Sequence, residues 1–423
     1  MLSLAYIRDN KDEVVKRLQI KNFKGVELVD NIIALDSERR KIQKDLDDNL
    51  AEANQLSKEI GLLYKQGKKD EAEALKEQTV VLNDLSRELK EKLQEAETNQ
   101  NELLIMLPNL PHPSVKTGYG ADDNEIIHAH GETDFLHSEA LPHWELAKKY
   151  DLIDFELGNK ITGAGFPVYK GKGAKLQRAL INYFLDEATT QGYLEHELPI
   201  MINEASGYGT GQLPDKEGQM YFVEKDGLYL IPTAEVPLTN IYRDVILKED
   251  ELPVKLTGYT PCFRREAGSY GKDVRGLNRL HQFDKVEIVQ IAHPDKSYEI
   301  LEHMKDYVAA LLEELGLPYR ILKLCGGDMS FTSALTYDLE VFSAAQKKWL
   351  EVSSVSNFEN FQANRAKIRF KDKEGRTTQV HTLNGSALAL PRIVAAILEN
   401  NQDADGINIP KVLVNYTGFE RIE

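Results

Sequence analysis

The chain has 423 residues, enough for two or three domains with a sizeable core. With 42% hydrophobic and 28% charged residues it sits among ordinary globular proteins, which excludes wholesale disorder, collagen and small disulfide scaffolds. A formal charge of −16 argues against indiscriminate binding to nucleic-acid backbones and leaves a selective nucleic-acid partner open.

The two cysteines, Cys262 and Cys325, lie far apart with no Cys-x-x-Cys spacing. Neither a zinc knuckle nor a dithiol motif is written, no structural zinc is expected, and a reducing compartment is the simpler reading. The segment Met1–Asp9 reaches charge before any apolar signal core, and no run of about 18 apolar residues follows. The expectation is a cytoplasmic protein with no membrane partner.

From Leu28 to Leu63, positions spaced alternately four and three apart read Leu28, Ile32, Leu35, Arg39, Ile42, Leu46, Asn49, Ala53, Leu56, Ile60 and Leu63. Nine of these eleven are apolar, with mostly charged or amide residues between, so the pattern predicts a helix touching one partner helix along a heptad seam. Gln66–Asp70 breaks it, and a second seam follows through Leu75, Leu82, Leu89 and Ala96, with Leu85 and Leu93 beside it. The chain then folds back as an antiparallel hairpin whose arm protrudes by roughly 54 Å. Lys65, Lys68 and Lys69 concentrate positive charge at its end. A solvated turn and a backbone-binding tip both suit that charge.

Pro108, Pro111 and Pro113 end the helical pattern, which places a domain boundary near residue 110 and divides the chain into residues 1–110 and 111–423. His128, His130, His137 and His143 crowd a polar segment that reads as surface loop in preference to a metal site. Gly171-Lys-Gly173-Ala-Lys175 lacks phosphate-loop spacing and reads as a turn and helix cap. An amphipathic helix over 174–190 buries Leu176, Leu180, Tyr183 and Phe184.

Strands dominate thereafter: 219–224 and 228–231 as a hairpin, then 255–264, 283–291, 320–324, 337–342, 367–371 and 378–383. Strong helices cover only 297–315 and 392–399. The predicted fold class is α+β: a helical arm followed by a mostly antiparallel sheet flanked by helices, which makes a doubly wound dinucleotide fold a poor match.

The stretch 260–287, TPCFRREAGSYGKDVRGLNRLHQFDKVE, carries the densest chemistry. Arg264 and Glu266 share one strand face, Arg275 and Arg279 lie on or beside a glycine-rich loop, and Phe283 and Glu287 occupy the return strand. A structural ion pair accounts for one such couple. Four arginines around a permissive loop with an aromatic residue fit a pocket for polyphosphate and base more economically.

This stretch resembles motif 2 of the class II aminoacyl-tRNA synthetases, and the whole chain is similar to bacterial-type seryl-tRNA synthetases. The resemblance rests on Thr210-Gly-Gln-Leu-Pro214, Thr233-Ala-Glu235, Glu351-Val-Ser-Ser354 with Phe361-Gln362, and His381-Thr-Leu-Asn-Gly-Ser386 followed by Arg392, all after the helical hairpin. It implies activation of L-serine by ATP to seryl-adenylate, then transfer to the 3′ end of tRNA(Ser), with tRNA(Sec) as a second candidate acceptor.

By the same resemblance, Arg264 holds the α-phosphate and the serine carboxylate, and Arg392 lies near the γ-phosphate. Glu266 reads the adenine edge, Phe283 stacks on the ring, and Arg265, Arg279, Val352 and Ser353 complete the ATP positions. Glu351 and Ser354 support Mg²⁺. Thr233, Ala234, Glu235, Glu287 and Ser386, with Arg264, form the serine pocket. Thr233-Ala-Glu235 alone reads equally well as a helix cap ahead of Pro237.

The arm, with Lys65, Lys68 and Lys69, would read the long variable arm of the tRNA by shape and phosphates. A homodimer contact is implied around 183–201, with the arm of one subunit serving the other's site. Val355, Asn364, Ala387 and Pro391 depart from residues frequent in the family, and none of them is an expected ligand. A catalytically dead or repurposed synthetase relative, such as an amino-acid ligase acting on a carrier protein or a partner-stabilising paralogue, and a structural coiled-coil protein are the competing readings. The first fits poorly with a long arm and retained motif arginines, the second with the polar motifs of the sheet.

Overall fold

The structure, a computed structural model, describes residues 1–136, 139–267 and 275–423. The chain divides into two compact units, Met1–Gln19 with Phe23–Pro108, and Ile20–Asn22 with Asn109–Glu423.

In the first unit, α1 (Leu4–Asp9) and α2 (Lys11–Ile20) precede two long helices, α3 (Val26–Lys65) and α4 (Lys69–Leu104). The forty residues of α3 span about 60 Å. All eleven predicted seam positions of α3 are buried or half-buried against α4, as the heptad spacing requires. The break comes at Gln66–Lys68, where Gly67 takes a left-handed φ of 79° that a side chain would resist.

The seam of α4 keeps the predicted Leu75, Leu82, Leu89, Leu93 and Ala96 and differs at Leu85. It runs Ala72, Leu75, Thr79, Leu82, Ser86, Leu89, Leu93, Ala96 and Gln100, and Leu85 is exposed. Ser86 takes the inward place because Asn49 of α3 needs a partner there: its Nδ2 donates to Ser86 Oγ and to the Leu82 carbonyl, each at 2.7 Å. Opposed polar residues in an apolar seam select one register of the two helices over its neighbours.

The second unit is built on an eight-stranded sheet. Its strands are β1 (Glu125–His130), β2 (Leu194–Glu195), β3 (Val254–Phe263), β4 (Gln282–Ala292), β5 (Tyr319–Lys323), β6 (Leu335–Ser343), β7 (Lys348–Asn357) and β8 (His381–Ala389). They lie in the order β1-β5-β6-β7-β8-β4-β3-β2. Every pairing is antiparallel except β2 with β3. The helices around it include α5 (His143–Lys149), α6 (Gly171–Thr190), α7 (Glu235–Asn240), α8 (Ser297–Glu314), α9 (Phe361–Ala366) and α10 (Leu390–Asn400).

Alternation along the strands divides the sheet. Val286 and Ile288 of β4, Leu335, Tyr337 and Leu339 of β6, and Val355 of β7 join the main core with Leu176, Leu180 and Phe184 of α6, Leu301 and Val308 of α8, and Ile393 and Val394 of α10. The residues between them face the other way. From Leu390 to Glu399, every residue of α10 is buried except Arg392. Pro391 sits in its first turn, where a missing N–H leaves no bond unmade.

Three expectations are corrected. Arg264 and Glu266 do not share a strand face, because β3 ends at Phe263 and Glu266 turns away with a left-handed φ of 49°. The histidine-rich polar segment is not all loop: His128 and His130 lie on the edge strand β1, His130 stacked against Tyr319, and His143 is fully buried at the start of α5. His137 lies outside the described residues. The hairpin near 219–231 is also shorter, with strands only at Phe222–Val223 and Leu228–Leu230. Among the described residues, no helix is long and apolar enough to cross a membrane.

A double-mutant cycle between Asn49→Ala and Ser86→Ala, read by urea unfolding of the full chain, should give a coupling of about 1 kcal/mol. A coupling indistinguishable from zero would show that the pair does not act as a register lock.

Candidate active site

The polar face of the sheet floors a cavity of about 800 Å³. Period-two spacing delivers the floor: Phe283, Lys285 and Glu287 from β4, Asn384 and Ser386 from β8, Ser354 and Ser356 from β7, and Thr336 and Asp338 from β6. Its rim comes from Gln212, Glu217 and Gln219 on one side and from segments 277–280 and 328–332 on others.

At one end, two carboxylates and an ammonium are packed away from water. Lys285 Nζ lies 2.5 Å from Glu287 Oε2 and donates to Thr233 Oγ1 at 2.8 Å. Thr233 Oγ1 also accepts the backbone N–H of Glu235 at 3.2 Å, so it caps the first turn of α7 while facing the cavity. Glu235 accepts from Gln362 Nε2 at 2.6 Å. Thr382 Oγ1 donates to Gln362 Oε1 at 2.7 Å, which fixes the amide with its NH₂ toward the carboxylate. Burial, and then the charge of Glu287, push the Glu235 carboxyl up to about 7.

At the other end, the cationic groups are oriented mainly by backbone carbonyls. Arg264 donates from Nε to the Pro232 carbonyl at 3.3 Å and stacks its guanidinium 5.2 Å from the Phe283 ring centre. Arg392 donates from Nη1 to the Glu351 carbonyl at 2.6 Å and from Nε to the Asn278 carbonyl at 3.2 Å. Arg279 Nη1 bonds Glu266 Oε2 at 2.9 Å. Between the two ends, Asp338 stands opposite Ser354 in the β6–β7 register, and burial together with the Glu351 charge raises its carboxyl well above the usual carboxylate range.

Of the residues singled out from the sequence, Thr233, Glu235, Arg264, Glu266, Arg279, Phe283, Glu287, Glu351, Val352, Ser353, Ser354, Ser386 and Arg392 all line this one cavity. Ala234 and Arg265 do not. Ala234 is buried with Leu238, Leu256 and Val289 beneath α7. Arg265 donates its backbone N–H to the Gln219 carbonyl at 2.8 Å and places its guanidinium 5.4 Å from the Tyr221 ring. Lys65, Lys68 and Lys69 belong to the first unit and are exposed, with Lys68 Nζ 3.1 Å from Glu71.

The residue-by-residue reading overlooked Lys285, Asp338 and Asn384. Lys285 was within reach, because Phe283, Lys285 and Glu287 alternate on a predicted strand. Asp338 and Asn384 gain meaning only once β6, β7 and β8 are known to be neighbours.

Comparison with known proteins gives one answer along the full chain. Residues 221–401 match the model of the tRNA synthetase class II core domain (G, H, P, S and T), and residues 1–111 match that of the seryl-tRNA synthetase N-terminal domain. The serine–tRNA ligase of Salinibacter ruber is 53% identical over all of this chain and 99% of its own length. That of Chlorobium chlorochromatii is 46% identical with both chains fully covered. Among solved structures, the seryl-tRNA synthetase from Pyrococcus horikoshii complexed with ATP superimposes with a TM-score of 0.92 at 34% identity, covering 100% of this chain and 99% of that one. A cytoplasmic serine–tRNA ligase from Naegleria fowleri in complex with AMP gives 0.88 at 26% with the same coverage. With the helical hairpin, the antiparallel sheet and the motif residues gathered over its polar face, these matches show that the chain belongs to the seryl-tRNA synthetase family.

Proposed function

We propose that this chain activates L-serine with ATP to seryl-adenylate in the 800 Å³ cavity and then transfers the seryl group to the 3′ end of tRNA(Ser). One observation carries the reading: two arginines held by carbonyls stand over the same floor as a buried Lys285–Glu287–Thr233 cluster with Glu235 beside it.

Attack of the serine carboxylate on the α-phosphorus crowds negative oxygens together, so the cations must be in place beforehand. Arg264 is suited to the α-phosphate and the serine carboxylate, because its Nε bond to Pro232 and its contact with Phe283 fix the plane of its guanidinium. Phe283 offers its other face to adenine, Glu266 with its neighbouring backbone reads the base edge, and Arg392 serves the γ-phosphate. Glu235, Glu287 and Lys285 together carry one net negative charge when both carboxylates are ionised. An incoming ammonium brings that total to zero. Serine's hydroxyl finds polar partners among Thr233, Glu287 and Ser386, and alanine would leave them unpaired.

A divalent cation fits the far side of the floor. Glu351, Ser354 and Asp338 supply hard oxygens, and Asp338 Oδ1 is buried without a hydrogen-bond partner. Among the described residues, no three or more His, Cys, Asp and Glu side chains converge as a metal site, so substrate phosphates would have to supply the remaining ligands. The chemistry Mg²⁺ supplies when bound there is neutralisation of phosphate-oxygen charge.

The reading extends to the arm and the assembly. Lys65, Lys68 and Lys69 are exposed around the α3–α4 turn and suit contacts to tRNA phosphates, while the long hairpin suits recognition of helix shape. An acceptor recognised by shape in this way can include tRNA(Sec). A homodimer contact within 183–201 is supported by exposed Leu194 and Met201, whereas Tyr183 and Phe184 are buried in the protomer's own core.

ATP–pyrophosphate exchange across the amino acids should be strong with serine alone, and Arg264→Ala should reduce it about 10²- to 10³-fold. Exchange driven equally by other amino acids would refute the assignment. The apparent KM for serine should rise as pH falls below about 7, approaching tenfold per unit, because ammonium binding needs the Glu235 carboxylate ionised. A KM flat from pH 8 to 6 would contradict this. Changing Lys65, Lys68 and Lys69 together to Glu should weaken tRNA binding about tenfold or more while leaving exchange intact. Unchanged tRNA affinity would remove these lysines from the interface.

A further inference from the structure

A buried polar network centred on His143 and Glu399 backs the cavity, and neither of these two residues lines it. His143, at the start of α5, and Glu399, near the end of α10, both have fully buried side chains. The Leu277 backbone N–H donates to His143 Nε2 at 2.8 Å. A backbone N–H can only donate, so Nε2 carries no proton, and the proton on Nδ1 is donated to Glu399 Oε1 at 2.7 Å. Glu399 Oε1 also accepts the His143 backbone N–H at 2.9 Å and Gln346 Nε2 at 2.9 Å, and Ser343 Oγ donates to Glu399 Oε2. Burial pushes the Glu399 carboxyl up, but the hydrogen bonds from His143 and Ser343 outweigh it and hold the group below the usual range.

The residues this network grips are those that lead back into the cavity. Arg275 lays its guanidinium 5.1 Å from the Trp144 ring. Gly276 adopts a left-handed φ of 65°, and a Cβ there would fall 2.2 Å from His143 Nε2. Asn278 Nδ2 bonds Gln346 Oε1 at 3.0 Å, and the Asn278 carbonyl accepts Arg392 Nε at 3.2 Å. The contacts thus form a closed circuit: Arg392 lies in the first turn of α10 and Glu399 in its last, Glu399 fixes His143, His143 fixes Leu277, and Asn278 returns to Arg392.

We propose that His143 is a positioning residue for ATP. As a neutral acceptor braced by Glu399, it pins the 276–278 segment so that the Asn278 carbonyl holds Arg392 in its working orientation. The proposal rests on the reading of the cavity given above and adds a residue that touches no substrate. Leu277, Asn278 and Arg392 line the cavity, whereas Thr233, Glu235, Lys285 and Glu287 have no hydrogen bond to the circuit, so its loss should fall on ATP and spare serine.

The test measures equilibrium affinity for a non-hydrolysable ATP analogue and for serine, with steady-state exchange, on the full chain and on His143→Leu and His143→Gln. A glutamine amide, like the imidazole, carries one donor side and one acceptor side. His143→Leu should weaken ATP-analogue binding and raise the ATP KM about tenfold, with serine affinity unchanged within about twofold, and His143→Gln should recover most of the loss. Unchanged ATP affinity in folded His143→Leu, an equal loss for both ligands, or no recovery in His143→Gln overturns the proposal.

Should His143→Leu fail to fold, Gly276→Ala takes its place, since the added methyl forces the segment off the ring while leaving the His143–Glu399 pair intact. The same ATP-selective loss supports the proposal, and unchanged ATP affinity overturns it. An unaltered chain that binds ATP but shows no serine-dependent exchange would defeat the functional reading and leave the positioning role measurable. One that binds no ATP defeats both.

Discussion

The site depends on keeping three charges out of water at one end of a sheet. Lys285 and Glu287 are nearly fully buried, at 6% and 1% side-chain exposure, with Glu235 close enough for Glu287 to raise its carboxyl. Removing ions from water costs several kcal/mol each, so such a cluster persists only where its hydrogen bonds are held in place. The sheet holds two of the charges two residues apart on one strand. The third comes from α7, and its placement depends on apolar packing: Ala234 and Leu238 sit against Leu256 of β3 and Val289 of β4. Ala234 lines no part of the cavity, yet it is buried between Thr233 and Glu235, which do. Any substitution that lifts α7 separates the carboxylates and exposes an ion pair to water.

The arginines are held by a different principle. Arg264 and Arg392 are oriented by the carbonyls of Pro232, Asn278 and Glu351, and the nearest carboxylate contact of Arg392 is a 3.9 Å approach to Glu351. A carbonyl fixes a guanidinium without neutralising it, whereas a close carboxylate would satisfy the charge and compete with phosphate. Arg279 shows the contrast: its Nη1 is paired to the Glu266 carboxylate at 2.9 Å, which satisfies the charge. The Lys285–Glu287–Glu235 end of the cavity thus pairs its one ammonium with two carboxylates, whereas the Arg392 end is left cationic.

Much of this was legible in the sequence because it follows local periods. The seam of α3 appears as a heptad, the face of α6 as a 3.6-residue stripe, and β3 and β4 as runs bounded by a glycine-rich loop. What escaped lies between elements. Leu85 fits a seam by composition, but the inward place went to Ser86, since only the partner helix shows that Asn49 waits opposite. Residues 125–130 look like polar loop because β1 is an edge strand, mostly exposed, whose partners on β5 lie 189 to 198 residues away in sequence. His143 belongs to the same class: the last histidine of a polar stretch gains its partners, Leu277 and Glu399, only through the tertiary fold.

The acidic composition illustrates how an average misleads about a part. The formal charge of −16 describes the whole chain, but screening in physiological salt acts over about 8 Å, far less than the roughly 60 Å of α3. What approaches the α3–α4 turn therefore responds to the charges there and not to those at the far end of the same helices. Those charges are mixed: Lys68 has Glu71 at 3.1 Å and Lys76 has Glu73 at 2.7 Å, while Glu73 also accepts the Tyr64 hydroxyl at 2.5 Å. Exposed pairs of this kind contribute little to stability and exchange partners cheaply. The potential at the turn is therefore a balance: breaking the Lys68–Glu71 pair costs little, and Glu71 and Glu73 offset part of the positive charge of Lys65, Lys68 and Lys69.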